Sequence, residues 1–138
     1  MGREGGTQPV AEIGWVTVDC DDPDLLAAFW SALLGVSEDY RIAEPAQYVI
    51  LKAPASGVLP LVFQRVSEPK QTKNRIHLDL NVTDLEHLEL VAARIEELGG
   101  STGSASDFQE AGLYWRVMED PAGNEFCLLH LGDREPAR

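Results

Sequence analysis

The feature of this sequence that most constrains its fold is an internal duplication. Residues 15–22 (WVTVDCDD) correspond to residues 77–84 (HLDLNVTD), 62 positions later. A second pair of segments, 61–64 (LVFQ) and 124–127 (NEFC), is separated by 63 positions. A nearly constant offset across several elements indicates two copies of one supersecondary unit. Neither copy could bury both a sheet face and a helix by itself, so we expect the two copies to share one core.

The first copy has the pattern of a βαβββ module. Residues 13–20 alternate between apolar and polar side chains, which is the period of a half-buried strand. Asp22 is a candidate helix N-cap, Pro23 suits the first helical position, and Gly35 ends the helix. Between them, apolar side chains recur at helical spacing: Leu25, Leu26, Phe29, Trp30, Leu33 and Leu34. Three strands are predicted after the helix, near 40–42, 47–52 and 59–66.

The second copy repeats this pattern. Residues 76–82 alternate as the first strand does, and the helix that follows begins at Thr83 or Asp84 and ends at Gly99 and Gly100. A short strand near 101–103 and a hairpin of 114–119 with 125–131 complete the module. Two tandem βαβββ modules predict an α+β fold.

These modules define the expected domain organisation. We predict one domain over residues 11–131, made of modules 13–67 and 75–131 that a polar linker at 68–74 joins. Residues 1–10 and 132–138 are interpreted as tails. The first tail is expected to be disordered, because its residues are polar and rich in glycine.

Charge and cysteine content exclude several classes of partner. The chain has 11 Lys and Arg against 23 Asp and Glu, a formal net charge of −12, whereas nucleic-acid binders carry a basic face. No apolar run reaches the ~18–20 residues of a membrane span, and no signal-peptide core is present. We therefore predict a cytoplasmic protein without nucleic-acid or membrane partners. Cys20 and Cys127 are expected to be reduced, buried thiols rather than a disulfide.

Two motifs carry a resemblance to a known family. Asp-Pro-x-Gly-Asn-x-Phe at 120–126 and Phe-Trp-x-x-Leu-Leu-Gly at 29–35, within the duplicated modules, resemble the vicinal oxygen chelate superfamily. That group includes glyoxalase I, bleomycin-resistance proteins and extradiol dioxygenases, and this sequence is most similar to the glyoxalase-like branch. The resemblance covers residues 13–130. It implies eight strands that curl into an open, cup-shaped barrel with the helices outside, and it implies a homodimer.

The resemblance also implies positions for a metal. Enzymes of this superfamily hold a divalent metal in the cup with one residue from the first and one from the last strand of each module. The corresponding positions here are Trp15, Gln64, His77 and Cys127. Trp15 cannot be a ligand, because its indole N–H only donates, and Gln64 offers a neutral amide oxygen. We expect no cofactor; the alternative is Zn, Fe, Ni or Mn on His77, Gln64 and Cys127, with Asp79 close enough to help.

Several side chains on the same strand faces are candidates for function. His77 beside Asp79 has the arrangement of a general base, and the alternative is a hydrogen-bonded histidine that lines a polar cavity. These two residues are the predicted catalytic pair. A ligand is expected to contact six others, whose aromatic and carboxylate groups suit a planar or cationic molecule: Trp15, Thr17, Asp19, Gln64, Trp115 and Cys127. For the two tryptophans, filling the barrel is the alternative.

Three functions follow from these residues. The first is a protein that binds a small organic molecule in the cup without the usual metal, favoured because three of the four usual ligand types are missing. The second is a lyase or isomerase of glyoxalase type that uses His77, with or without a divalent metal. The third is a non-catalytic protein that assembles through its acidic surface. The sequence leaves open whether the chain is an enzyme and whether the modules pair within or between chains.

Overall fold

Two helices and eight strands make up the part of the chain that the structure describes. The structure is a computed structural model, and it describes residues 8–132. Residues 1–7 and 133–138, which include most of both predicted tails, lie outside the described residues, as do the side chains of 104–106. In chain order the elements are β1 (Val16–Cys20), α1 (Pro23–Leu34), β2 (Glu38–Ile42), β3 (Tyr48–Leu51), β4 (Leu61–Arg65), β5 (Asp79–Asn81), α2 (Leu85–Glu97), β6 (Ser101–Glu110), β7 (Leu113–Glu119) and β8 (Glu125–His130).

The strands form two sheets of the same design. One sheet has the strand order β1-β4-β3-β2 and the other β5-β8-β7-β6, so each βαβββ module builds its own four-stranded sheet. In each sheet the first and last strands of the module are parallel and the other pairs are antiparallel. The predicted α+β class and the paired modules are confirmed. The two sheets are not closed into a barrel.

Both helices begin at an aspartate, as the sequence predicts. Oδ1 of Asp22 accepts a hydrogen bond from the Leu25 amide at 3.2 Å, and Oδ1 of Asp84 accepts one from the His87 amide at 2.7 Å. These bonds satisfy amide donors that have no partner in a first helical turn. At its other end α1 is closed by Gly35, whose φ of 69° lies in the left-handed region.

The two modules share one hydrophobic core. Phe29 and Trp30 of α1 reach across to Phe126 of the second sheet, with ring centroids 6.2 Å and 4.8 Å away in edge-to-face geometry. All three side chains are almost completely buried. The prediction that the two modules share one core is therefore confirmed.

The described strands differ from the sequence prediction in length and in register. The strand expected near 101–103 is β6, which extends to Glu110 with an irregularity between Thr102 and Asp107. In the first module Asp19 pairs with Gln64. The residues that correspond to them in the second copy are Asn81 and Cys127, so the duplication predicts that Asn81 pairs with Cys127. Instead Asp79 pairs with Cys127, two residues earlier. A shift of two residues keeps every side chain on its face, which is why the alternation in the sequence could not reveal it.

The helices also bear on membrane contact. Neither of the two described helices combines the length and the apolar character that a transmembrane span requires.

Candidate functional site

A cavity lies between the two modules. It has a volume of about 910 Å³ and opens between β1 and residues 76–78, which lead into β5. The end of the first module at 66–67 and the linker residues 68–70 and Asn74 form a further wall, and the turn at 120–124 forms the next. Clefts of this size accommodate a small organic molecule.

The cavity has polar and apolar walls because it follows the edge of β1. Side chains alternate along a strand, so Thr17 and Asp19 lie on the face opposite Val18 and Cys20, which contact the core. Across from β1, the cavity is lined by His77. Of the residues that the sequence proposed for function, Thr17, Asp19 and His77 line this cavity, and the others do not.

The turn at 120–124 is held by one buried carboxylate. Asp120 is 4% exposed and accepts four hydrogen bonds. Its Oδ1 accepts from the amides of Ala122 and Asn124, each at 3.0 Å, and its Oδ2 accepts from the Asn124 side chain at 3.1 Å and from Trp30 Nε1 at 3.2 Å. The Asp-Pro-x-Gly-Asn motif thus shapes a wall of the cavity and ties it to α1 of the other module.

The charges on the cavity wall are unbalanced. Lys70 is the lysine that lines it, and its Nζ lies 3.1 Å from Oε1 of Glu125. Burial opposes ionisation of Glu125, but hydrogen bonds from the Asn74 amide and Lys70 lower its pKa nonetheless. Asp19 also lines the cavity and has no cationic partner in the described part of the chain. The wall therefore keeps an unpaired carboxylate, whereas its lysine is already neutralised.

A compact group of possible ligating side chains borders the cavity. Nδ1 of His77 lies 3.0 Å from Oδ1 of Asp79 and 3.9 Å from Sγ of Cys127. The register shift creates this group, because it brings Asp79 rather than Asn81 next to Cys127. Among the described residues, these three are the set of His, Cys, Asp or Glu side chains whose ligand atoms lie within 4.8 Å of one another.

The cysteine of this group is a thiol in the metal-free protein. Burial, together with the negative charge of Asp79, raises the pKa of Cys127 to about 11. A protonated thiol is a poor nucleophile, so Cys127 is not activated for covalent catalysis here. Cys20 is likewise free and buried, which confirms the prediction of two unpaired thiols.

The donor chemistry of the group fits a transition metal. An imidazole nitrogen, a carboxylate oxygen and a thiolate sulfur are all zinc ligands, and catalytic zinc sites use three protein ligands and an open position. His77, Asp79 and Cys127 would hold the ion, and binding would have to displace the thiol proton. This set differs from the one that the resemblance implied: all three residues come from the second module, and Asp79 takes the place of Gln64.

The remaining predicted residues lie elsewhere on the sheets. Gln64 is in the first sheet, half-buried and paired in register with Asp19. Trp15 precedes β1 and is 46% exposed. Trp115 stacks on Phe108 of the neighbouring strand, with centroids 5.5 Å apart. The structure thus brings His77, Asp79 and Cys127 together, whereas Gln64 lies in the other sheet and neither Trp15 nor Trp115 lines the cavity.

Two residues at the cavity escaped the sequence analysis. Glu125 belongs to the predicted strand 125–131, to which the sequence assigned no further role, yet it anchors the linker through Lys70 and Asn74. Lys70 belongs to the segment that was predicted only to be a polar linker. The sequence contains no signal for either role, because the bond joins segments that are 55 residues apart.

Comparison with known proteins agrees with this architecture. Residues 15–129 match the family model for a glyoxalase-like domain, and no curated protein matches the sequence. Among solved structures, a glyoxalase/bleomycin resistance protein/dioxygenase family enzyme from Burkholderia phytofirmans PsJN is 18% identical and has a TM-score of 0.68 over 88% of this chain and 99% of its own.

Two further solved structures carry functional names. Lactoylglutathione lyase from Agrobacterium tumefaciens is 20% identical, with a TM-score of 0.60 over 88% of this chain and 95% of its own. Oxidase ChaP-H2 is 16% identical, with a TM-score of 0.62 over 88% of this chain and 94% of its own. At such identities the likeness shows the fold, because one fold hosts many chemistries. The match over residues 15–129, together with the paired βαβββ modules, shows that this chain belongs to the glyoxalase-like domain family of the vicinal oxygen chelate superfamily.

Proposed function

We propose that this protein binds a small, planar, cationic organic molecule in the cavity between its modules. The observation that carries the proposal is the charge of the wall: Asp19 faces the cavity unpaired, while Lys70 is neutralised by Glu125. A ligand cation near Asp19 gains a Coulomb attraction that no protein cation already supplies. The formal net charge of −12 adds a long-range attraction for cations.

The apolar part of the wall supports a ligand with an organic body. Val16, Leu78 and Ala122 line the cavity beside the polar groups. Burying apolar surface against such side chains contributes roughly 25 cal/mol per Å² of ligand area. A flat ring that bears a positive charge would use both walls, with the charge next to Asp19 and the ring against the aliphatic side chains.

A matched pair of probes tests the charge requirement. N-methylquinolinium and quinoline share one ring system, and near neutral pH only the first is charged. We expect calorimetric titration to give the quinolinium about five-fold tighter binding or more, which corresponds to about 1 kcal/mol of electrostatic attraction. Equal binding of the two probes, or no binding of either, would contradict the proposal.

A variant pair tests the residue. In Asp19→Asn the preference for the charged probe should fall by about the same five-fold, because the amide has the same shape and no charge. Asp39→Asn is the matched control, since Asp39 is an exposed carboxylate of β2 that does not line the cavity. An equal loss in both variants would mean that only net charge matters.

A second candidate function rests on the group beside the cavity. We propose as an alternative that the protein is a lyase or isomerase of glyoxalase type that uses His77. Nδ1 of His77 is next to Asp79, so the Nδ1 proton is held there and Nε2 is left to accept a proton from a substrate. A divalent metal on His77, Asp79 and Cys127 would act as a Lewis acid for such a reaction.

Metal content decides between the two versions of this alternative. The untagged protein is dialysed with zinc, iron, nickel or manganese and its bound metal is measured by mass spectrometry. The metal-dependent version expects one ion per chain, lost in His77→Ala and kept in His130→Ala, because His130 is on β8 outside the group. Metal that survives His77→Ala would contradict this assignment, and a chain that takes up none of the four ions leaves only the acid–base version.

A further inference from the structure

We propose that Glu125 is a positioning residue that clamps residues 67–74 against the second sheet, so that they form a wall of the cavity. This segment, called the linker below, is the linker at 68–74 together with Ser67. The effect of this clamp on ligand exchange rests on the proposed binding function. The clamp itself does not, because it concerns bonds within the free protein.

The linker contributes a large share of the cavity wall. Ser67, Glu68, Pro69, Lys70 and Asn74 all line the cavity. The segment forms no helix or strand, so it has no ladder of main-chain hydrogen bonds to hold it in place. Its position must therefore come from contacts with the modules on either side.

Those contacts converge on one residue. In the described part of the chain, the hydrogen bonds and ion pairs that join residues 67–74 to other segments all end at Glu125. Oε1 accepts from the Asn74 amide at 2.9 Å and lies 3.1 Å from Lys70 Nζ. The main-chain oxygen of Glu125 accepts from the Asn74 side chain at 3.4 Å. The other polar contacts of the segment, such as Lys70 with the Thr72 carbonyl, stay within the linker.

The environment of Glu125 strengthens these bonds. Its side chain is only 17% exposed, so the ion pair with Lys70 is shielded from solvent more than a surface pair would be. One carboxylate bridges Lys70 and Asn74, four residues apart, and thereby fixes the shape of the linker between them. Removing the carboxylate leaves the Asn74 amide and the Lys70 ammonium without this partner at the same time.

The rate of tryptic cleavage measures how firmly the linker is held, because the linker region contains its own cleavage sites. Trypsin cuts after lysine and arginine, and Lys70, Lys73 and Arg75 lie in or next to the linker. We expect cleavage there to be about ten-fold faster in Glu125→Ala than in the wild type, since cleavage follows the population of the open segment. Glu125→Gln should show a smaller increase, because its amide oxygen still accepts from Asn74.

Glu119 provides the matched control. It is the cross-strand partner of Glu125 on β7, is half-buried like it, and makes no described contact with the linker. Glu119→Ala and Glu119→Gln remove the same groups from the same sheet and should leave linker cleavage within about two-fold of wild type. Cleavage in Glu125→Ala that equals Glu119→Ala, or that rises equally at every tryptic site of the chain, would overturn the proposal.

A variant on the linker itself keeps the test decisive if Glu125→Ala folds poorly. Lys70→Met removes the ion pair from an exposed position, and cleavage after Lys73 and Arg75 remains readable. We expect cleavage after Arg75, the linker-region site that both variants retain, to be faster in Lys70→Met than in Lys73→Met. No difference between the two variants would contradict the clamp.

The link to ligand binding has a separate readout. If N-methylquinolinium binds the wild type, Glu125→Ala should raise its dissociation rate several-fold and lower its affinity, because the wall opens and the Lys70 ammonium, left without its partner, repels the cation. Unchanged rates with faster cleavage would show that the clamp does not control exchange. Absence of binding would contradict the proposed function and leave the proteolysis result standing.

Discussion

The two modules share a fold and differ in what their facing strands carry. In the first module Asp19 is paired with Gln64, and no compact group of three ligating side chains forms among its described residues. In the second module Asp79 is paired with Cys127, and His77 lies 3.0 Å from Asp79. A register difference of two residues is enough to change which polar groups meet. The duplication preserved the architecture, and the register determined the chemistry.

The turns before the last strands differ as well. In the first module, residues 53–58 include Gly57 in the left-handed region and a main-chain bond from Val58 to Ala55. In the second, Asp120 organises the turn and also binds Trp30 of the first module. Only the second turn therefore links the two modules through a buried polar group.

The largest predicted effect breaks this link. Asp120→Ala should lower the free energy of unfolding by about 3–5 kcal/mol, because it leaves several buried donors without an acceptor. Urea denaturation measures the change. Asp39→Ala removes an exposed carboxylate and should cost less than about 0.5 kcal/mol. A loss below about 1 kcal/mol in Asp120→Ala would show that the turn does not depend on its aspartate.

A second prediction compares two arginines that fasten each helix to its sheet. Arg116 of β7 binds Glu89 of α2 and Asp107 of β6, and Arg41 of β2 binds Asp24 of α1. The Arg116 side chain is 15% exposed and that of Arg41 is 32% exposed. Because exposed pairs are screened by solvent, Arg116→Met should lower the melting temperature by a few degrees and Arg41→Met by less.

The same pairs predict a pH dependence. The bonds from Arg116 hold the pKa of Asp107 and of Glu89 below their ordinary values. A carboxylate with a lowered pKa stabilises the fold above its ordinary pKa, and that contribution is lost as pH falls. The difference in melting temperature between wild type and Arg116→Met should therefore shrink between neutral pH and about pH 3. If this difference in melting temperature grew as the pH fell, the claim that the ion pairs of Arg116 stabilise the fold would be wrong.

The helix caps should behave alike in both modules. Asp22→Ala and Asp84→Ala each remove one bond to the first turn and should each cost about 1 kcal/mol in urea denaturation. Glu86→Ala is a suitable control, since Glu86 is exposed in the first turn of α2 without being its cap and makes no described ion pair. Unequal cap effects would show that one module tolerates a frayed helix better than the other.

Much of this fold can be predicted from the sequence, because its signals are local. Asp22 and Asp84 mark helix starts, Gly35 marks a helix end, and alternation in 13–20 marks a strand, which begins three residues later than expected, at Val16. Each signal depends on neighbours a few residues away. The length of β6 could not be predicted, because residues 101–110 contain one glycine, three serines and two acidic residues, whose preference for turns is overridden by pairing with β7.

The candidate site is less predictable, since it depends on contacts between distant segments. The resemblance implied His77 and Cys127 as neighbours, with Gln64 as the third ligand and Asp79 only close by, whereas the pairing that puts Asp79 beside Cys127 depends on register. The neutralisation of Lys70 by Glu125 depends on where the linker crosses the second sheet. Neither leaves a pattern in the order of residues.

The smallest predicted effect concerns one turn in each module. Ala43 and Ala111 have φ values of 70° and 53°, in the left-handed region that glycine adopts without steric cost. Ala43→Gly and Ala111→Gly should each stabilise the protein by about 0.5 kcal/mol. This is the backbone strain that glycine relieves in the folded state, reduced by the greater conformational entropy that glycine gives the unfolded chain. Ala93→Gly, at an exposed position of α2, should instead destabilise it by about 1 kcal/mol. If both turn variants were less stable than the wild type, the claim that Ala43 and Ala111 are strained would be wrong.

The measurement that tests the central claim most directly is an amide-resolved NMR titration of the wild-type protein with N-methylquinolinium. Binding in the cavity predicts that the largest shifts fall on both modules at its walls, at Thr17, Asp19, Leu78 and Asn124. Shifts confined to Trp115 and Phe108, which stack on each other and do not line the cavity, would contradict this prediction, because the ligand would then bind a single module outside the cavity.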